Sequence, residues 1–216
     1  MHILKVSTAI FTFASPVAAQ TVGDTYLGSG ISTFGATLEA AYQIEPLARV
    51  RGIAMGGVRV DSSGEDDDGN TYSYDASIAA AAVLLDYFPQ GQGWHISGGV
   101  LFDLSDITGV GTGPDREPFE INGETFENGR VDAKVSLANS VAPMVAVGYE
   151  YDFGNQWVIN GELGAVYTGG IEMDYTANSD RLQDAIDDDD DFQSAIAEGK
   201  DISVLPYIGL TVSYRF

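Results

Sequence analysis

Apolar and polar residues alternate singly through segment after segment of this chain, and no segment holds an apolar run long enough to cross a bilayer as a helix. Across 34–44, Phe34, Ala36, Leu38, Ala40, Tyr42 and Ile44 share one face, and Gly35, Thr37, Glu39, Ala41 and Gln43 share the other. At the far end Ile208, Leu210, Val212, Tyr214 and Phe216 alternate with Gly209, Thr211, Ser213 and Arg215. Period two is the signature of a strand. A strand with one apolar face suits a soluble sheet or the wall of a membrane barrel.

The first residues decide between these. Lys5 precedes a largely apolar stretch over 6–14, and Pro16, Val17, Ala18 and Ala19 end in the small residues a signal peptidase requires. The expectation is a signal peptide over 1–19 and a single barrel domain over 20–216. The apolar stretch is well short of the ~20 residues of a spanning helix. An exported chain that resides in a membrane without such a helix must do so as a closed barrel, the other structure that satisfies every backbone hydrogen bond in lipid.

Strand-like alternation continues over 49–60, 71–88, 94–107, 135–153, 156–175 and 202–216. In 49–60, Val50, Ala54, Val58 and Val60 are expected on one face and Arg49, Arg51 and Arg59 on the other. Residues 25–32 supply an eighth strand if the chain turns sharply near Thr33; otherwise 25–44 is one long bent strand. Connections near 45, 91 and 154 are short, whereas those near 66, 120 and 188 are long. That one-sided rhythm is the one outer-membrane barrels keep, with short periplasmic turns and long extracellular loops. Trp94 and Trp157 follow short turns, where an interfacial aromatic girdle belongs. The fold class expected is all-β, an eight-stranded antiparallel transmembrane β-barrel with long acidic extracellular loops, in the cell outer membrane.

The chain carries 32 Asp and Glu against 10 Lys and Arg, a net charge of -22. Nucleic acid, which needs a basic surface, is disfavoured as a partner. The acid is clustered at 64–68 and 184–191, as in solvated loops. There is no cysteine, so no disulfide framework holds the exported domain. Leu182, Ala185 and Ile186, then Phe192 and Ile196, have helical spacing, which points to a short acidic helix or a mobile loop over 179–198. Asn122–Gly123 centres a hairpin over 119–126.

A lipid-facing Arg or Lys near the midplane costs about 2–4 kcal/mol. Glu39, Arg51 and Glu162, opposite the apolar faces of their strands, are therefore expected to point inward near mid-membrane. Arg49, Asp103, Glu150 and Arg215 are expected to line the lumen nearer the periplasmic end. Glu39 and Arg51 can pair. An eight-stranded barrel is just wide enough for side chains to fill, so these charges read either as a plug of ion pairs or as the lining of a narrow conduit.

No catalytic residues are expected, and the chain is read as not an enzyme. His95, the one histidine beyond the signal segment, sits beside Trp94 at a periplasmic turn, away from the outer rim. With no Cys and no His cluster, a zinc site is not expected, and no cofactor is called for. Asp66, Asp67 and Asp68 in one loop, and Asp187, Asp188, Asp189, Asp190 and Asp191 in another, are candidates for cation binding. Gly64 occupies the first ligand position of the first run and no Glu closes it, which argues against a specific calcium loop.

The second half resembles a known family. The matching stretches are Phe119–Glu120–Ile121–Asn122–Gly123–Glu124–Thr125–Phe126, Ser140–Val141–Ala142–Pro143–Met144–Val145–Ala146–Val147–Gly148–Tyr149 and Gly161–Glu162–Leu163–Gly164–Ala165–Val166–Tyr167–Thr168–Gly169, with the acidic segment before the last strand. They resemble the small outer-membrane barrels related to the carbapenem-susceptibility porin of Acinetobacter, described as an ornithine-uptake type channel. The resemblance implies an eight-stranded barrel and passage of small, basic amino-acid-like solutes; it carries over no substrate-contact residues. The chain departs from the family in its final Tyr-Arg-Phe.

The functional expectation is porin-like passage of small cationic solutes or a structural envelope role. The alternative is a surface adhesion barrel acting through 119–127 and 179–198. Outer-membrane lipid and lipopolysaccharide are the expected surroundings. Tyr214 and Phe216 are expected to form the signal read by the barrel-assembly machinery during insertion.

Overall fold

A computed structural model describes residues 20–65, 69–114, 118–121 and 123–216. The signal segment 1–19, Asp66, Asp67, Asp68 and Asn122 lie outside the described residues. The chain forms β1 (Thr25–Ser32), β2 (Gly35–Glu45), β3 (Ala48–Glu65), β4 (Thr71–Tyr87), β5 (Trp94–Asp103) and β6 (Asp106–Thr112). There follow the short β7 (Phe119–Ile121) and β8 (Glu124–Phe126), then β9 (Arg130–Leu137), β10 (Val141–Asp152), β11 (Trp157–Tyr167) and β12 (Ile171–Ala177). Helices α1 (Asp180–Asp187) and α2 (Asp190–Asp201) precede the last strand, β13 (Val204–Arg215).

Eight strands close on themselves, antiparallel throughout. The ring runs β1, β2, β3, β4, β5, β10, β11, β13 and returns to β1. Closure pairs Tyr26 with Arg215 and Ser32 with Gly209. Residues 25–44 are thus two strands, joined by a tight turn at Thr33 and Phe34. In that turn Phe34 leaves the lipid face expected for it and packs into the lumen, because Gly35 takes a positive φ of 108° and reverses the chain there.

Within the lipid band, the described outward positions of the ring carry no charge. They are residues such as Leu38, Val83, Val145, Leu163 and Ile208, and Leu38 and Leu163 are 66% and 65% exposed. Trp94 packs edge-on against Tyr149, and Trp157 against Tyr214, which in turn meets Phe216. These form the aromatic girdle at the short-turn end. Among the described residues, no helix is long and apolar enough to cross a membrane. The strands cross instead, satisfying their backbone groups around the ring.

Above the ring the sheet splits. The lower half of β4 pairs with β5, and its upper half, Thr71–Ser77, pairs with β6. β6 then pairs with β9, and β9 with β12, making an open extracellular extension. The strands expected over 94–107, 135–153 and 156–175 are therefore each two strands, bent at 104–105, 138–140 and 168–170. At the first bend Asp103 accepts from the Ser105 N–H, and the Ser105 hydroxyl donates to the Ala79 carbonyl. At the third, Gly169 and Gly170 take positive φ.

A bulge at Gly57 (φ 87°) adds one residue to β3 between the pairs Gly56–Ala79 and Val58–Ile78. An extra residue inverts the side-chain alternation. Val58 therefore faces inward, opposite Ile78, and not outward with Val50 and Ala54. Arg59 faces outward above the lipid band, 3.7 Å from Asp75.

Candidate functional site

The inward faces fill the barrel in two layers. The periplasmic layer is charged. Arg49 donates through Nε and Nη2 to Asp86 Oδ2 at 3.0 and 2.9 Å, and through Nη2 to Glu150. Its guanidinium lies between the rings of Tyr26 and Phe88, 5.0 and 4.9 Å from their centroids. Arg51 forks onto Glu162, donates to Asp86 Oδ1 at 3.0 Å and Ser97 Oγ at 3.3 Å, and lies 3.5 Å from Glu39 Oε2. The Ser97 hydroxyl donates to Asp86 Oδ1 at 2.7 Å, and the Ser213 hydroxyl to Glu39. His95 Nε2 sits 2.9 Å from Glu162 Oε1.

Every member of this layer is sealed. Arg51 is 1% exposed, and Asp86 and His95 are 0%. Toward the extracellular side the lumen is apolar, packed with Ile53, Met55, Leu84, Leu101, Met144 and Tyr207. A buried charge is tolerable only when paired and hydrogen-bonded. The forked Arg51–Glu162 contact is the geometry that gains most from the guanidinium's planar donors.

Of the charges expected inside, Glu39, Arg49, Arg51, Glu150 and Glu162 lie together in this layer. Arg215 stands apart at the periplasmic rim, 2.8 Å from Asp152 and 4.0 Å from Asp24. Asp103 points inward but sits at the outer end of β5, not the periplasmic end, where it caps the bend.

Asp86 and His95 escape the sequence reading. Asp86 ends a run, Ile78 to Leu85, that is apolar on both faces, so polarity alone does not assign its side. Its opposition to Arg49 across β3 and β4 was the available signal. His95 is not at the turn surface. It points into the lumen, 5.1 Å from the Phe88 ring. Gly148 on the neighbouring strand makes its place, since a Cβ there would lie 2.4 Å from His95 Cε1 and 2.8 Å from Glu162 Cγ.

Among the described residues, Asp86, His95 and Glu162 come close enough to share an ion. Arg51 already occupies the space between the two carboxylates, so the donor set is served by a guanidinium and does not fit a metal. The expected acidic cation site over 187–191 does not assemble among the described residues. Asp187 accepts from the Tyr175 hydroxyl and from Gln183, Asp189 caps α2, and Asp190 and Asp191 point to solvent on its first turn. A helix–turn–helix spreads carboxylates that a calcium loop would converge.

Neither a protein-family model nor a curated protein sequence matches the chain. Among solved structures, CarO2 of Acinetobacter baumannii superposes with a TM-score of 0.58 at 19% identity, over 91% of this chain and 100% of that one. The fold is that of the CarO barrels. CarO of the same organism gives a TM-score of 0.55 at 20% identity, over 90% of this chain and 97% of that one. The CarO likeness spans the ring and the extension alike, so the whole described chain is one outer-membrane-type barrel with an elaborated extracellular side. At these identities it transfers architecture and no residue roles.

Proposed function

We propose that the protein is a closed outer-membrane barrel that anchors, rather than conducts, and that its function is carried by the extracellular extension as a binding surface. The observation behind this reading is the two-layer lumen. An ion-pair network and an apolar plug lie in series, and their members are almost wholly buried. An eight-stranded wall leaves room for side chains and little else. Passage of small basic solutes would require both layers to part. The network holds its own guanidinium groups where a cationic solute would have to bind.

Planar-bilayer recording of the purified protein tests the reading. The expected result is no ohmic steps, and liposomes carrying the protein should not swell faster than empty ones in neutral, cationic or anionic solutes. A stable conductance overturns the closed-barrel reading.

A further inference from the structure

The water-facing side of the extension is polar on one face only. Ser73, Asp75, Thr108, Asp132, Lys134 and Asp174 lie on the outer face. The opposite face continues the lumenal face of β4 and is apolar. Its cover is partial. Phe126, Leu182, Ala185 and Ile186 pack onto one part of it, with Val131, Tyr175, Ala177 and Phe192 alongside. Beside this packed part runs a groove of about 630 Å³, walled by Tyr72, Tyr74, Met173 and Phe192 and floored at Gly111.

Tyr72 and Tyr74 remain 49% and 45% exposed, although they stand above the lipid band. A groove of this size is that of a small-molecule site. Asp189 is the charged residue in its lining, and one oxygen of Asp189 accepts from the Phe192 N–H at 2.8 Å, which fixes the carboxylate at the edge.

We propose that this groove binds small apolar amines, with the hydrocarbon or aromatic body against Tyr72, Tyr74 and Met173 and the ammonium at Asp189. Three features point the same way. The walls are apolar and aromatic. Aromatic faces attract cations. The fixed charge at the edge is a carboxylate, on a chain of net charge -22 whose field concentrates cations. An anionic amphiphile, such as a fatty acid, meets the same walls but the wrong sign. The inference deepens the reading of the extension as the binding surface and rests on it.

Two substitutions probe the site without dismantling it. A Cβ on Gly111 meets nothing within 4 Å, and its backbone lies outside the left-handed region, so Gly111→Leu fills the groove without strain. Asp189→Asn removes the charge, and asparagine caps a helix as well as aspartate does.

Calorimetric titration of the full protein in lipid nanodiscs with 4-phenylbutylamine, 4-phenylbutanol and 4-phenylbutyrate is the experiment, with empty nanodiscs subtracted. The amine should bind saturably, the alcohol at least tenfold more weakly, and the carboxylate not at all. Gly111→Leu should weaken amine binding at least tenfold while the barrel keeps its heat-modifiable gel mobility. Asp189→Asn should bring the amine to the level of the alcohol. Equal binding of amine and carboxylate, amine binding unchanged by Gly111→Leu, or no heat beyond empty nanodiscs overturns the proposal. Conductance on the same preparation separates the two failures. A conducting barrel that binds the amine defeats the closed-barrel reading alone, and a silent barrel that does not bind defeats the amine site alone.

Discussion

Arg51 holds three carboxylates, Glu162, Asp86 and Glu39, while almost wholly buried. Truncating one partner of a buried pair leaves the others charged in a medium that cannot solvate them, at a cost of about 3–5 kcal/mol. Arg51→Met should lower the unfolding free energy by that order, read from urea unfolding in lipid vesicles, whereas Arg59→Met on the exposed Asp75 pair should change it by less than about 1 kcal/mol. Gly148 makes a sharper case. Its missing Cβ is the space that His95 uses, so Gly148→Ala should cost about 1–3 kcal/mol by overpacking. That penalty should fall in a His95→Ala background, leaving the part due to Glu162 Cγ at 2.8 Å, the non-additivity expected of residues in contact. Glu39, Arg51 and Glu162 were legible as inward residues because each interrupts an otherwise apolar and small-residue alternation. Asp86 was not, because both faces of its strand are apolar until the last turn of residues. His95 was legible in direction, since period two sets it on the face opposite Trp94 and Ile96, but not in depth, because its place beside a short turn gives no sign that it is sealed inside the network.

At the scale of the element, α1 and α2 are held to the extension by few contacts, and their caps therefore matter. Ser179 Oγ accepts from the Leu182 N–H at 3.3 Å. Ser179→Ala should weaken α1 by about 1 kcal/mol, seen as faster amide hydrogen exchange in 180–187 with β10 and β11 unchanged. Tyr175 of β12 donates its hydroxyl to Asp187 at 2.6 Å and accepts from Gln193, tying both helices to the sheet. The Asp187 carboxylate beside it raises the Tyr175 pKa above its ordinary value of 10.0. A proton held more tightly in the folded state stabilises fully below the unfolded pKa and is lost as pH rises through the folded one. Helix docking should therefore be flat from neutral pH up to about 10 and loosen above it, and Tyr175→Phe should abolish that loosening while making docking weaker throughout. The helical spacing of Leu182, Ala185 and Ile186 made these helices legible. The bends at 138–140 and 168–170 were not, since apolar residues keep one parity across them, from Leu137 to Val141 and from Tyr167 to Ile171, and at 104–105 only a shift of parity from Leu104 to Ile107 marks the bend.

For the whole molecule, one run of strands serves two solvents. Below the bends the outward face is uncharged and meets lipid. Above them the same face carries Arg59, Asp75, Asp132, Lys134 and Asp174 and meets water, while the inward face stays apolar throughout the upper lumen and the extension. The acidic clustering of the sequence located the second regime without revealing that it is a continuation of the barrel sheet. Closure then follows from two seals in series. Replacing Leu84, Leu101 and Met144 with alanine opens the apolar layer and leaves the network of Arg49, Arg51, Asp86, Glu150 and Glu162 intact beneath it. Replacing Arg51 and Glu162 together with alanine removes the centre of the network and leaves the apolar plug above it. Resistances in series are set by the larger one, so neither variant should conduct appreciably in planar bilayers. The five-residue combination should conduct, with a conductance far above the sum of the two separate variants. Heat-modifiable mobility of each variant confirms that the ring has closed before the recording is made. Full conductance from either variant alone would mean that a single layer seals the barrel.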